Sequence, residues 1–476
     1  MKFYTMIRFS TYCLVLMSLM PWSGNAQEVW PLRKCIDTAI KNNLSIQGAK
    51  LNLQSAQIDS KQAKHQRYPN LSGSTNVFWN FGRTIDPTSN TFTTETFFNN
   101  RVGLNTGMTL FNGFAINNSI KQANSNVSAA KEDIQQTQND IALNVASFYL
   151  NALFAKENLA IARANLELSR NTMSQIQTLV KSGARAANEA LDIEAQVATD
   201  EQALLTAENN YTIAKMQMRQ LMLIDQDIDV EMPGSIEMMT DPMLVEFDEI
   251  YRGALSTQRS IAAGEYRVKS ADLGVKIAQG QKYPSVSVGG SLGTNYSNQG
   301  VRFDGTQTFP NELVAYLNGT PYNFVINQDV PIYSKAGYGY QLDHNLSYGF
   351  GFTVNVPILT NYANTANIEK AKIMRENATL NLETTKQNLK ITVQQAHADA
   401  KAAKVKLQAA EKSLAAQQAA YDNANKRFSL GAINGFDLSN ARTRLDNAKN
   451  NLLIAKYDHL FRVKVLDFYL GKGISL

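Results

Sequence analysis

The chain is written twice. Tyr68-Pro69 ends a helix-like segment and opens a strand-like one, and Tyr283-Pro284 repeats the event at an offset of 215. Phe111 begins a long proline-free tract that closes near Gly183; its counterpart runs from Leu359 to Gly431, displaced by 248 at both ends. The register holds at core-type positions. Ile141, Val145, Phe148, Ala152, Ala155, Leu159, Ala162 and Leu166 align with Leu389, Val393, Ala396, Ala400, Ala403, Leu407, Ala410 and Leu414. The larger second offset means that an insertion lies between the second Tyr-Pro and the second long tract. One building block used twice, with one tolerated insertion, predicts two equivalent structural units and a loop at the insertion.

Residues 1–26 read as a signal peptide, with Lys2 and Arg8, an apolar run from Thr11 to Met20, and small residues at Gly24-Asn25-Ala26. Without this leader the formal charge falls from +5 to +3, too little for nucleic-acid binding. Cys13 lacks a lipidation context, and Cys35 is left without a disulfide partner; its neighbours Leu32, Ile36 and Ile40 predict a small buried residue on a helix face.

Beyond the Leu32–Lys64 helices, four segments alternate with period two. Leu71, Gly73, Thr75, Val77, Trp79 and Phe81 oppose Ser72, Ser74, Asn76 and Asn80; Val102, Leu104, Thr106, Met108 and Leu110 oppose Arg101, Gly103, Asn105, Gly107 and Thr109. Val286, Val288, Leu292 and Tyr296 oppose Ser285, Ser287, Ser291 and Asn295. Leu346, Tyr348, Phe350, Phe352, Val354 and Val356 oppose Ser347, Gly349, Gly351, Thr353 and Asn355. A soluble sandwich needs bulk on its inner face. Here one face is bulky and the other small and polar, which suits lipid outside and water inside. Loops from Gly82 to Asn99 and from Ser297 to His344 join the strands of each pair.

No proline lies between Pro87 and Pro233 or after Pro357, so both long tracts are predicted to be helical. The second carries an a/d seam from Leu389 through Tyr421, Ala424 and Phe428, the pattern of a coiled coil. A returning helix starts at Asp437 with Leu438, Ala441, Leu445, Ala448, Leu452 and Ala455. The acidic stretch from Ile224 to Glu249 resembles a calcium loop at Asp225, Asp227, Asp229 and Glu231. Val230 and Ile236 stand where that loop needs Gly and Glu, which makes it a solvated linker, a short strand-and-turn connector around Pro233-Gly234.

Catalytic signals are weak. Gly289-Gly290-Ser291-Leu292-Gly293 fits G-x-S-x-G, but inside an alternating strand rather than a strand-to-helix elbow. His65, His344, His397 and His459 show no metal spacing, and His397 reads as solvated. No enzyme, cofactor or metal is expected.

Four membrane strands cannot close a barrel, so copies must share one, with 8, 12 or 16 strands for two, three or four chains. At this point the chain resembles the TolC-type outer-membrane efflux proteins, on the duplicated Tyr-Pro, strand pair and long helix, and on Gly183 and Gly431 followed by Glu189 and Asp437. The resemblance implies a mixed α and transmembrane β fold. Long antiparallel α-helical coiled-coil hairpins would form a periplasmic α-barrel, and four strands per chain would join a shared trimeric 12-stranded β-barrel. It also implies a passive exit duct for drugs, small molecules or proteins in a tripartite efflux or type I secretion system, with a periplasmic adaptor, an inner-membrane pump and outer-membrane lipid as partners.

The expected organisation is a signal peptide at 1–26, N-terminal helices at 27–70, strand pair 1 at 71–111 and helical hairpin 1 at 112–223. An equatorial connector at 224–249 leads to a helix at 250–284, strand pair 2 with a long extracellular loop at 285–358, helical hairpin 2 at 359–460 and a C-terminal segment at 461–476. Carried over residue by residue, the periplasmic tip would comprise Gly183, Arg185, Glu189, Phe428, Gly431, Ile433, Asp437 and Asn440. Asp437 matches an acidic aperture ring whose second position here is Asn440. Phe428 and Ile433 stand where the family has a gate-closing tyrosine and arginine and cannot make that bond through their side chains, which points to Arg185 and Glu189 instead. Gly183 and Gly431 are equally readable as plain helix C-caps and Asp437 as an N-cap. A diffusion porin would need more strands and no heptads; a structural or adhesin coiled coil would lack the strands.

Overall fold

The computed structural model describes residues 28–85, 90–94, 96–231, 241 and 245–472. The signal peptide at 1–26 and the Pro233-Gly234 turn fall outside the described residues. In chain order β1 (Glu28–Trp30) leads to α1 (Leu32–Asn42), α2 (Leu44–His65) and β2 (Asn70–Asn80). Two short strands, β3 (Thr84–Ile85) and β4 (Phe92–Thr93), precede β5 (Phe97–Asn112), α3 (Ala115–Lys181), α4 (Ala187–Met222) and β6 (Ile228–Val230). Then come α5 (Phe247–Thr257), α6 (Arg259–Gly280), β7 (Ser285–Ser297), β8 (Val301–Leu317), β9 (Thr320–Lys335), α7 (Tyr338–His344) and β10 (Ser347–Asn355). The chain finishes with α8 (Ala363–Ser429) and α9 (Gly435–Tyr469).

The duplication is a duplication of structure. Helices α5 and α6 keep the offset of the Tyr-Pro pairs from α1 and α2 at both of their ends, and α8 keeps the offset of the long tracts from α3. Even the strand-to-helix joints match. Gly113 and Phe114 both adopt positive φ, and so do their second-repeat counterparts Asn361 and Tyr362. Each 67-residue helix spans on the order of 100 Å at 1.5 Å per residue.

The chain divides into two compact units. The first gathers the described residues up to Ser55, Ser128–Arg267 and those from Thr379 onward. Its core buries Trp30, Cys35, Ile46, Val145, Tyr149, Leu153, Met218 and Leu460. Cys35 is fully buried as expected, and burial pushes its thiol to about 12, which makes it a packing residue. The seam of α8 is legible in burial, with Val393, Ala396, Ala400, Ala403 and Phe428 buried.

Three expectations are corrected in this unit. The acidic connector is solvated at Asp225, Asp227 and Glu231 but not throughout: Ile228 and Val230 are fully buried, because β6 pairs in parallel with β1, Val230 opposite Trp30. Asp229 holds Lys156 Nζ at 2.8 Å and the Tyr211 hydroxyl, and these hydrogen bonds outweigh burial to keep its carboxyl below the usual range. His397 is buried, its Nε2 3.0 Å from the carbonyl of Val245. The segment at 461–476 is no separate element through Tyr469, because α9 continues with Val463 and Leu466 fully buried.

The second unit gathers Ala56–Val127 and Val268–Ala378. It holds a four-stranded antiparallel sheet in the order β10-β7-β5-β2, with β10 and β2 as free edges. The insertion is not a plain loop. It forms a second hairpin, β8 and β9, paired from Val301↔Lys335 to Leu317↔Thr320 around Asn318-Gly319. Asn318 at φ 57° and Gly319 at φ 82° meet the left-handed demand of a two-residue hairpin turn. Asn-Gly between apolar runs was the signal for it, and Pro310, Pro321 and Pro331 obscured it; a two-stranded ribbon tolerates them because each strand has an unpaired edge.

Candidate functional site: two-faced sheet and paired helical turns

Strand pairing aligns the faces across the sheet. On one side, Trp79 lies beside Phe98, Leu104 beside Leu292, Leu292 beside Tyr348, and Val288 beside Phe352. On the other, Ser72, Asn105, Ser291 and Gly349 make one ladder row, and Ser74, Gly103, Gly293 and Ser347 the next. Ser291 is therefore mid-strand on the small face, not at an elbow.

The bulky face stays open to the surroundings: Tyr348 is 84 % exposed, Phe350 85 %, Leu71 73 % and Trp79 61 %. So large a continuous apolar surface marks contact with lipid. It is bordered by aromatic rings. Trp79, Phe98, Tyr296 and Tyr338 meet in sequence as tilted ring pairs, with centroids 5.2, 5.9 and 4.9 Å apart, near one end of the sheet. Tyr68, Tyr283, Phe114 and Tyr362, all exposed, stand at the helix–strand joints of the other. Two aromatic belts flanking an apolar band are the pattern of a membrane-spanning sheet. Among the described residues, no helix is long and apolar enough to cross a membrane.

In the first unit, α3–α4 and α8–α9 each turn back at a glycine. Gly183 (φ 75°) and Gly431 (φ 74°) occupy left-handed positions that a side chain would strain. Each closes its helix with the paired bonds of a Schellman turn: Gly183 to Val180 at 3.0 Å and Ala184 to Leu179 at 2.9 Å, Gly431 to Phe428 at 3.0 Å and Ala432 to Arg427 at 2.8 Å. Asn434 caps α9, its Oδ1 accepting the Asp437 N–H at 2.9 Å, so the cap precedes the position expected to provide it by nearly one helical turn.

Four of the eight sequence-derived tip residues meet. Arg185 donates through Nη2 to the carbonyl of Phe428 at 2.6 Å, lies 4.5 Å above its ring, and pairs with Glu189 at 3.3 Å. Arg185 and Glu189 are each only 15 % exposed at the side chain. Ile433 packs on the same small core as Phe428, formed with Ile176, Ile193 and Leu438. Phe428 thus takes part through its backbone oxygen and ring face. Asp437 and Asn440 are exposed and make none of these contacts.

Sequence reading missed a deeper pair. Arg442, 7 % exposed, donates to Asp200 at 3.0 Å and to the carbonyl of Asn165 at 2.6 Å, and lies 3.6 Å from Asp446. Gln196 donates to Asp200 at 2.9 Å and accepts from Ser439 at 3.0 Å. Burial raises the Asp446 carboxyl above its ordinary value, with Arg442 opposing. The signal was available: Asp200 is the first-repeat counterpart of Ala448, a seam position where a charge needs a buried partner.

A sheet with one lipid-type face and two free edges, on a chain built from paired long helical hairpins, defines an outer-membrane channel subunit. The chain belongs to the outer membrane efflux protein family, whose model matches residues 35–222 and 250–472. Solved structures agree on the fold: CusC at TM-score 0.74 and 18 % identity, covering 93 % of this chain and 92 % of CusC. VceC of Vibrio cholerae follows at 0.71 and 17 %, covering 94 % and 100 %. CmeC of Campylobacter jejuni gives 0.72 and 17 %, covering 93 % and 86 %. No curated protein sequence matches the chain.

Proposed function

We propose that three copies share one twelve-stranded barrel in the outer membrane and that their helices line a periplasmic duct ending at the Gly183 and Gly431 turns. The observation that carries this reading is the four-stranded sheet with unlike faces and two unpaired edges. Unpaired backbone groups in hydrocarbon cost several kcal/mol each, so β2 of one copy must pair with β10 of another. Twelve strands enclose a water-filled lumen, and the Ser, Asn and Gly face suits it. The duct would be passive, bind no cofactor, and carry drugs, small molecules or proteins delivered by an inner-membrane pump through a periplasmic adaptor.

At the tip, Arg185 fastens the first-repeat turn to the second-repeat turn through the Phe428 carbonyl and holds the aperture narrow. Asp437, exposed on the first turn of α9, supplies one acidic group per copy to that aperture. The mass of the detergent-solubilised particle tests the assembly; a monomer or dimer would refute it. Deleting the gene should raise susceptibility to dyes, bile salts or antibiotics, and an adaptor should co-purify. Asp437→Asn should weaken block of single-channel current by multivalent cations; unchanged block would sink the aperture assignment.

A further inference from the structure

The four strands of the sheet carry a single charged side chain, Arg101. It stands on the small-residue face of β5, in register with Asn76 on β2 and Asn295 on β7. Arg101 is exposed, and no hydrogen bond or ion pair engages it among the described residues. No carboxylate shares the sheet. The acidic groups of the neighbouring β8–β9 hairpin are Asp304, Glu312 and Asp329; Asp304 is paired with Arg302 at 2.8 Å, and Asp329 accepts the Thr308 hydroxyl at 2.6 Å.

Its level is also defined. Arg101 lies close along β5 to Phe98, a member of the aromatic belt on the opposite face, at the end of the strands away from the helix joints. An arginine on the lipid side there could reach headgroups by snorkelling. On this face the same side chain points away from lipid, toward the water that the small residues admit.

We propose that Arg101 is an anion-binding element at the outer mouth of the barrel. The inference rests on the shared-barrel reading, which repeats the residue once per copy. It assigns the mouth a ring of guanidinium groups flanked by the amides of Asn76 and Asn295, all donors suited to carboxylate, sulfate or phosphate. The favoured solutes are anionic. Three charges about 10 Å from the axis in water, screened over a Debye length of about 10 Å at 0.1 M salt, favour a monovalent anion over a cation roughly fivefold.

Full-length protein in planar bilayers tests this. The chloride-to-potassium permeability ratio should fall roughly fivefold in Arg101→Gln and be kept in Arg101→Lys. Asn76→Asp, which sets a carboxylate opposite each arginine, should lower it similarly and provides a second route if Arg101→Gln assembles poorly. Inositol hexakisphosphate added on the barrel side, which meets the ring before the helical tip, should block wild-type current and lose that block in Arg101→Gln and at high salt. Assembled Arg101→Gln and Asn76→Asp channels with unchanged ratio and unchanged block would overturn the ring while leaving the duct intact. A wild-type protein that forms no trimer and no channel would instead overturn the shared-barrel reading, and the ring with it.

Discussion

Replacing Arg185 by alanine should loosen the contact between the two helical turns. The magnitude follows from three interactions that end together. The hydrogen bond to the Phe428 carbonyl, at 2.6 Å and from a charged donor, contributes about 1.5–3 kcal/mol. The stack on the Phe428 ring, at 4.5 Å, adds about 0.5–1 kcal/mol. The pair with Glu189 joins residues of one hairpin, so it positions the guanidinium and does little to bind the turns directly. The turn-to-turn contact therefore weakens by roughly 2–4 kcal/mol per copy, or about 30- to 900-fold in local equilibrium. The assay is single-channel conductance, with export of a large antibiotic in cells as a second readout. Arg185→Ala should raise conductance and open frequency; Arg185→Lys, which keeps charge but loses the planar stack, should fall between. Phe428→Ala keeps the carbonyl but empties the small core shared with Ile176, Ile193 and Leu438, so it should loosen the turns by more than the stack alone, about 3–5 kcal/mol. A fully assembled Arg185→Ala channel with wild-type conductance and wild-type susceptibility would refute the role of this contact in closure.

Arg442→Met leaves Asp200 buried without its cation and should cost about 3–5 kcal/mol in thermal denaturation; adding Asp200→Asn should recover most of it, because the uncompensated charge is then gone. His459 is buried, and burial, with Lys404 nearby, holds its pKa below 6.5. The unfolded chain takes up that proton first, so stability should be full above pH 6.5 and fall as pH drops below it; His459→Leu should flatten this slope in melting curves at graded pH. Removing residues 301–335 and joining the ends with a short turn should leave the particle trimeric and its heat stability within roughly 1 kcal/mol per copy of wild type, because the β8–β9 ribbon is exposed along both faces. Loss of the trimer in that variant would show that the ribbon takes part in assembly.

Local periodicity made much of this protein legible without coordinates. Alternation of Ser347 through Val356 marked a two-faced strand, because side chains in a strand must point to opposite sides. The a/d spacing from Leu389 to Phe428 marked a packed helix for the same geometric reason at a different period. The two constant offsets announced that both patterns occur twice, and α5, α6 and α8 keep those offsets at both ends. Gly183 and Gly431 were readable as turns because few other residues accept a left-handed conformation.

Tertiary structure decided what no local pattern carries. The strand Glu28–Trp30 pairs with Ile228–Val230 and buries the two apolar residues of what reads as an acidic connector, since a parallel pair needs no sequence neighbour. Arg442 and Asp200, far apart in the chain, compensate one another inside a helical seam, and only their meeting explains either. The Phe428 carbonyl, invisible to any side-chain motif, becomes the partner of Arg185. Sequence by itself determined the repeated unit and its two periodicities, because both are written in backbone geometry over a few residues. Which charges meet, which strands pair across the chain, and where the inserted residues turn back were set by long-range packing.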